Sequence, residues 1–256
     1  MNAELFSLRG KVVLITGASS GIGRALAKGL ANSDARIVAV ARRSERLADL
    51  VGEIQKMGGE AVAVSADITE VASVERAFDE AERAFGVADV IISNAGIGNP
   101  GAFLTVDAAS RDAVFDTNIR GVWNTGQVGA QRLIAAGKPG AIINVASVLG
   151  LGVQPGLASY CVSKGAVIQL TRAMAIDLMR YNIRVNALAP GWFRTELNAD
   201  FFDSESGREY VARMPARRLG TLEELVGPVL LLASEGGSFM NGSVLVVDGA
   251  LGAVVA

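Results

Sequence analysis

The 256-residue sequence predicts an α/β fold built as a doubly wound parallel sheet. Two patterns predict it. Short β-branched runs alternate with longer amphipathic segments along the chain, and the short runs are apolar throughout instead of alternating with polar residues. Strands of that kind belong to parallel sheets covered by helices on both faces. No repeat, low-complexity stretch or Pro/Ser-rich linker divides the series, and the length is ordinary for one α/β sheet enzyme. The expectation is a single-domain Rossmann-type sheet over residues 1–256.

Taken in order, residues 12–15 (Val, Val, Leu, Ile) form the first strand, which runs into a glycine-rich turn at 16–23 and a helix over 22–31. A second strand covers 37–40. The helix over 45–57 carries Leu47, Leu50, Val51 and Ile54 on one face at the three- and four-residue spacing of a helical stripe. Further strands are predicted at 61–64, 90–92, 141–145, 183–187 and 244–247. Helices at 71–85, 111–136, 159–181 and 222–233 fill the gaps. Such sheets bind ligands at the carboxyl ends of their strands, and the motifs below fall there or on the helix that follows.

Composition removes whole classes of chemistry. The chain has no histidine and one cysteine, Cys161. Ser-His-Asp hydrolases, Cys-His proteases and histidine-ligated zinc sites are excluded, no intrachain disulfide can form, and no metal site is expected. Proton chemistry falls to Tyr, Lys, Asp, Glu or Cys. The 24 basic and 26 acidic side chains are scattered, so no nucleic-acid partner is expected. Residues 1–10 lack the apolar core of a signal peptide, and stretches such as 229–233 are too short to span a bilayer. The expectation is a cytoplasmic protein with no membrane partner.

The turn Thr16-Gly17-Ala18-Ser19-Ser20-Gly21-Ile22-Gly23 sits between strand and helix. Glycines there permit a tight turn, close approach of a pyrophosphate and close packing of helix on strand. The helix start then presents N–H groups and its positive dipole end to phosphates. A purely structural glycine loop is the bland alternative. After the second strand come Ala41-Arg42-Arg43. An acid at that place would bond a ribose 2′-hydroxyl, whereas a guanidinium suits a 2′-phosphate. NADP(H) is therefore expected over NAD(H), with Arg42 the leading residue, unless the pair only solvates a helix start.

Ser147 follows the apolar strand at 141–145, Tyr160 comes thirteen residues later, and Lys164 four after that. Positions i and i+4 share a helix face, so the ammonium can lie beside the phenol. A neighbouring cation favours phenolate, so a lowered Tyr160 pKa is expected. That would suit a general acid in a protein without histidine.

The glycine turn, the arginine pair and the Ser147…Tyr160-x-x-x-Lys164 spacing together resemble the short-chain dehydrogenase/reductase family over residues 11–249. The resemblance implies that Tyr160 is the acid/base, and that Ser147 hydrogen-bonds the reacting oxygen. Lys164 would hold the nicotinamide ribose, and Asn118 would position a water in a proton relay. Asn118 as a buried amide repairing a helix kink is the alternative. For the cofactor it implies Gly17, Ser19, Ser20, Gly21, Ile22 and Gly23 at the phosphates, with Arg42 and Arg43 at the 2′-phosphate. Asp67 would lie at the adenine, or else cap the next helix. Asn94, Ala95 and Gly96 would lie near the adenine ribose, and Pro190, Gly191 and Thr195 at the carboxamide and pyrophosphate. Ser20 stands where some NADP-binding members carry a basic residue.

The implied activity is hydride transfer between the nicotinamide and a ketone or secondary alcohol. A 3-oxoacyl-thioester (acyl-carrier-protein) reductase and a non-catalytic dinucleotide sensor stay open. Nucleotide-sugar dehydratases or epimerases on related folds usually have longer chains. The pocket wall is expected from 94–99, 148–157 and 192–214. Leu149, Leu151, Val153 and Leu157 would form an apolar side favouring a hydrophobic ketone, and the aromatic-rich 192–214 would be either a lid or ordinary packing. The family implies a homotetramer or homodimer through the helices at 111–136 and 159–181, with the apolar end 251–256 buried at a contact.

Overall fold

A computed structural model describes residues 3–253. Seven strands form one parallel sheet: β1 (Val12–Thr16), β2 (Arg36–Ala41), β3 (Ala61–Ser65), β4 (Val90–Ser93), β5 (Gly140–Val145), β6 (Ile183–Pro190) and β7 (Val244–Val247). Their order is β3-β2-β1-β4-β5-β6-β7. The chain winds outward one way from β1 and the other way from β4. The crevice where the direction reverses therefore lies past the carboxyl ends of β1 and β4. Leu14 pairs with Val38 on one side and Ile91 on the other, so β1 is central and buried along its length.

Alternate strand residues feed two cores, as the period of two in a strand requires. Val13 and Ile15 pack with Leu26 and Leu30 of α1 (Gly21–Ala31), Leu50 and Ile54 of α2 (Ser44–Lys56), and Val229 and Leu232 further along the chain. Val12 and Leu14 face Val74 and Phe78 of α3 (Val71–Phe85), and also Val128 and Leu133.

The predicted strands are all present, each within a few residues of its expected ends. Helices differ more. The segment at 111–136 is three pieces: α4 (Ala108–Phe115), a π turn at Asp116–Arg120 and α5 (Gly121–Ala135). Asn118, wholly buried, sits in that π turn. The helix at 159–181 is α6 (Ala158–Leu178) plus a 3-10 turn, closed by left-handed Asn182. Two short helices, α7 (Ala199–Asp203) and α8 (Glu205–Arg213), occupy the aromatic-rich segment, where no continuous apolar stripe announced them. The helix at 222–233 opens as a 3-10 turn, Leu222–Leu225, before α9 (Val226–Ala233). The turn is held by a capping box between Thr221 and Glu224.

Both edge strands depart from expectation. β7 leaves Val246 exposed and β3 leaves Ala63 and Ser65 exposed, so neither is covered on both faces. Among the described residues no helix is long and apolar enough to cross a membrane. Residues 254–256 of the predicted apolar end lie outside the described residues.

Candidate active site

A cleft of about 1050 Å³ opens past the carboxyl ends of the central strands. Its wall includes Gly17, Ser19 to Ile22, Arg42, Arg43, Asp67, Asn94 to Gly96, Ser147, Tyr160, Lys164, Pro190, Gly191 and Thr195. Of the site residues expected from sequence, Gly23 and Asn118 alone are outside the wall, and both lie directly behind it.

The turn after β1 is held by its neighbours as much as by its glycines. Gly17 has φ of +68°, and a Cβ there would come within 2.7 Å of Ala95 Cα. A Cβ on Gly23 would collide with the Gly17 carbonyl and Asn94 Nδ2. Asn94 Nδ2 donates to the carbonyls of Thr16 (3.0 Å) and Gly17 (3.3 Å). Thr16 Oγ1 accepts from the backbone N–H groups of Asn94 (3.1 Å) and Ala95 (3.2 Å). This clasp fixes the ends of β1 and β4 to one another. Sequence reasoning gave Thr16 no role; its signal is a hydroxyl ending an otherwise apolar strand. Ser20 precedes α1 without a side-chain cap, so the first-turn N–H groups of α1 are left for a ligand at the cleft.

The two arginines differ. Arg43 donates from Nε and Nη2 to Ser19 Oγ (3.2 and 2.9 Å) and from Nη2 to Ser20 Oγ (2.7 Å). It also lies 3.7 Å from Glu196, which Arg46 holds directly. The Arg42 guanidinium makes no hydrogen bond or ion pair among the described residues. Its charge helps hold the Asp67 carboxyl below the usual range, behind the larger effect of the hydrogen bond from the Thr69 N–H. Asp67 Oδ1 accepts from that N–H (2.9 Å) and from Thr69 Oγ1 (2.8 Å). Asp67 thus caps a local turn and not α3, whose cap is Glu70.

Ser147 and Tyr160 stand in the same wall. Ser147 Oγ accepts from the Leu149 N–H at 3.1 Å, which leaves its own proton to donate. Lys164, 3% exposed, donates from Nζ to the Val145 carbonyl at 2.8 Å and keeps two N–H protons for other partners. Burial pushes the Lys164 ammonium down to about 8. The expected lowering of the Tyr160 pKa is not what the protein provides. Burial pushes the phenol up, and the facing Ser147 hydroxyl opposes this only in part. Geometry gives the reason: Lys164 Nζ lies over the ring, 5.6 Å from its centroid, while bonded to a strand carbonyl. Asn118 is saturated by protein. It donates to the Ile97 carbonyl (2.9 Å) and Ser163 Oγ (3.0 Å) and accepts from the Ile97 N–H (2.8 Å). Its side chain ties the segment after β4 to α6.

The wall near Tyr160 corrects the expected one. Leu157 lines it, but Leu149 is buried in the cluster beneath, and Leu151 and Val153 face solvent. Asn99 and residues 148–153 are not part of it. The expected segments 94–99 and 192–214 do contribute Ile97, Trp192, Leu197, Phe201 and Phe202, and Pro100, Gly101 and Ala102 join them unannounced. Gly101 N–H bonds the Gly156 carbonyl at 2.9 Å, joining the two loops that flank Tyr160. The aromatics of 192–214 pack edge-to-face: Trp192 on Phe202 (5.5 Å) and on Tyr210 (6.3 Å), Phe201 on Phe202 (5.1 Å). They pack together, and Trp192, Phe201 and Phe202 form one side of the cleft.

Residues 17–251 match the family model described as Enoyl-(Acyl carrier protein) reductase. Gluconate 5-dehydrogenase of Gluconobacter oxydans (strain 621H) is 39% identical over 249 residues, covering 97% of each chain. L-rhamnose 1-dehydrogenase (NAD(P)(+)) of Sphingomonas sp. (strain SKA58) is 37% identical over 246 residues, covering 95% of this chain and 97% of its own. Among solved structures, a gluconate 5-dehydrogenase from Burkholderia cenocepacia J2315 in complex with NADP and tartrate superposes with a TM-score of 0.94. It is 39% identical, with 98% and 99% of the two chains covered. A short-chain type dehydrogenase/reductase from Mycobacterium marinum gives 0.93 at 38% identity, covering 97% and 98%. The chain belongs to the short-chain dehydrogenase/reductase family of NAD(P)-dependent oxidoreductases acting on CH–OH and C=O groups.

Proposed function

We propose that this chain, as one catalytic domain, interconverts a ketone and a secondary alcohol, prefers NADP(H) to NAD(H), and uses Tyr160 as its acid/base. The observation that carries the proposal is the meeting of the Ser147 and Tyr160 hydroxyls in the wall of a cleft whose far end is a glycine turn at a helix start. That end suits a dinucleotide: free N–H groups for a pyrophosphate, and an arginine pair with no carboxylate at Ala41 for a 2′-phosphate. The preference is also in keeping with NADP bound to the Burkholderia relative. When bound, the nicotinamide supplies or accepts the hydride.

The chain's own part is to hold and move a proton. Ser147 donates its free O–H to the carbonyl oxygen and stabilises negative charge as it grows there. Tyr160 gives that oxygen its proton in reduction and takes it back in oxidation. Burial favours the neutral phenol, the form needed for reduction. Lys164 would offer its remaining N–H protons to the nicotinamide ribose hydroxyls. Asn118 acts by holding Ile97 and Ser163, thereby fixing the floor of the site.

We also propose a cytoplasmic homotetramer or homodimer. Trp123 and Ile134 on α5, and Val162 and Ile176 on α6, are exposed and apolar, as an interface through these helices requires. Light scattering giving a monomer mass would remove the assembly.

The functional test follows NADPH and NADH absorbance over a panel of ketones and alcohols for the wild type and Tyr160→Phe. Turnover by the wild type, at least tenfold better in kcat/KM with NADPH, and its loss in a variant that still binds NADPH, is the expected result. Near-normal turnover by Tyr160→Phe would take Tyr160 out of the mechanism. No turnover at all, with NADPH still bound, would favour a dinucleotide sensor.

A further inference from the structure

Several relatives are named for sugar acids and sugars, yet the substrate end of this cleft lacks what a sugar acid needs. Of the cleft's lining residues, three are cationic: Arg42, Arg43 and Lys164. The arginines follow β2, whereas Ser147 follows β5, three strands away in the order β2-β1-β4-β5. At strand spacing that is about 14 Å. Arg43 is held there by Ser19 and Ser20 of the glycine turn, and both arginines belong to the end of the cleft proposed for the cofactor phosphates. Lys164 is buried, bonded to the Val145 carbonyl and placed over the Tyr160 ring. On the same stretch as Leu197 the charged residue in the wall is Glu196, a carboxylate, while Arg194 lies outside the wall and is paired with Asp203.

The rest of the substrate end is apolar. A Cβ on Gly98 would touch Tyr160 Cδ2 (3.8 Å) and Leu197 Cδ2 (4.0 Å), which brings this loop and Leu197 to the phenol. Ile97, Pro100, Leu157, Trp192 and Phe201 complete the wall. The amides there are mostly spent. Asn198 accepts from the Thr195 N–H (2.8 Å) and donates to the Phe193 carbonyl (2.9 Å), and Asn94 is committed to the turn after β1. Gln154 keeps a side-chain amide without a protein partner among the described residues.

We infer that the substrate is an uncharged ketone, or its alcohol, carrying an apolar or aromatic substituent beside the reacting carbon, and that sugar-acid carboxylates are excluded. This rests on the hydride-transfer function proposed above. A carboxylate entering this wall loses water without gaining a cation, whereas an aryl or alkyl group gains contact with Trp192, Leu197 and Phe201. Gln154 supplies one neutral hydrogen bond for orientation.

The test compares kcat/KM with NADPH for three probes: an aryl alkyl ketone, a 3-oxobutanoyl thioester of N-acetylcysteamine, and 5-keto-gluconate. At least one uncharged probe is expected to exceed the acid by about a hundredfold or more. A tenfold lead of thioester over free ketone identifies an acyl thioester as the source of the carbonyl, and the reverse identifies a free ketone; both support the class. Turnover of 5-keto-gluconate equal to or better than both, lost in Tyr160→Phe, would overturn the substrate class and leave hydride transfer standing. No turnover of these probes while other members of the ketone and alcohol panel react would overturn the substrate class alone, and no turnover across the whole panel would overturn both. Gln154→Arg places a cation in the wall and should raise kcat/KM for the acid relative to the uncharged ketones by at least tenfold. An unchanged ratio would overturn the claim that a missing cation is what excludes acids.

Discussion

Replacing Lys164 with methionine sets folding against chemistry in one side chain. The ammonium is 3% exposed and its pKa falls from 10.5 to about 8, which corresponds to about 3 kcal/mol of unfavourable folding free energy. The sign follows from proton binding. The unfolded chain holds this proton more tightly, so between the two values stability rises with pH. The cost is fully present below about pH 8 and fades as pH approaches 10.5. Methionine removes that cost but leaves the Val145 carbonyl without its 2.8 Å partner, a loss of roughly 1–3 kcal/mol that does not depend on pH. At pH 7 the variant should be as stable as wild type or more stable by up to about 2 kcal/mol, with turnover lost. Between pH 7 and pH 10 the balance should move toward wild type by about 2–3 kcal/mol. Urea unfolding of both proteins at the two pH values, at one protein concentration, measures this. An unchanged stability difference would mean that Lys164 is not desolvated in the fold, and the electrostatic account of the site would fail.

Three other perturbations test separate parts. Ser147→Ala should lower kcat by about 10²–10³ while NADPH affinity is kept, since its O–H is directed at Tyr160 and the place of the reacting oxygen. Arg42→Ala should raise KM for NADPH by about tenfold and leave KM for NADH unchanged, because its guanidinium has no structural partner to lose; steady-state kinetics with both cofactors decide it. Gly23→Ala drives a Cβ into the Gly17 carbonyl and Asn94 Nδ2, and should cost about 1–3 kcal/mol, lowering Tm by several degrees together with cofactor affinity.

The sheet was legible because its strands are continuous β-branched runs and its helices carry apolar stripes, signals that need only neighbouring residues. Tyr160 and Lys164 were legible because helical spacing puts them together, and the turn at Gly17 because its position between strand and helix has a local cause. Features made by distant segments were not legible. Glu196 meets Arg46 across 150 positions, and no pattern at either place announces it. Leu149, Leu151 and Val153 looked like one apolar wall, but the 3-10 turn Val148–Gly150 buries the first and turns the others outward. The direction of the Tyr160 pKa failed for the same kind of reason. Spacing placed the lysine close, yet its orientation depended on the Val145 carbonyl and its burial on the packing of α6 against β5.

The central claim is that hydride passes between bound NADP(H) and a carbonyl carbon while Tyr160 supplies the proton. Reaction with NADPH deuterated at the nicotinamide C4 position, followed by NMR of the alcohol product, tests it directly. One deuterium on the carbinol carbon with the wild type, and none formed by Tyr160→Phe at equal cofactor occupancy, is the predicted result. Oxidation of the cofactor with no deuterium in the product, or labelled alcohol from Tyr160→Phe at the wild-type rate, would contradict it.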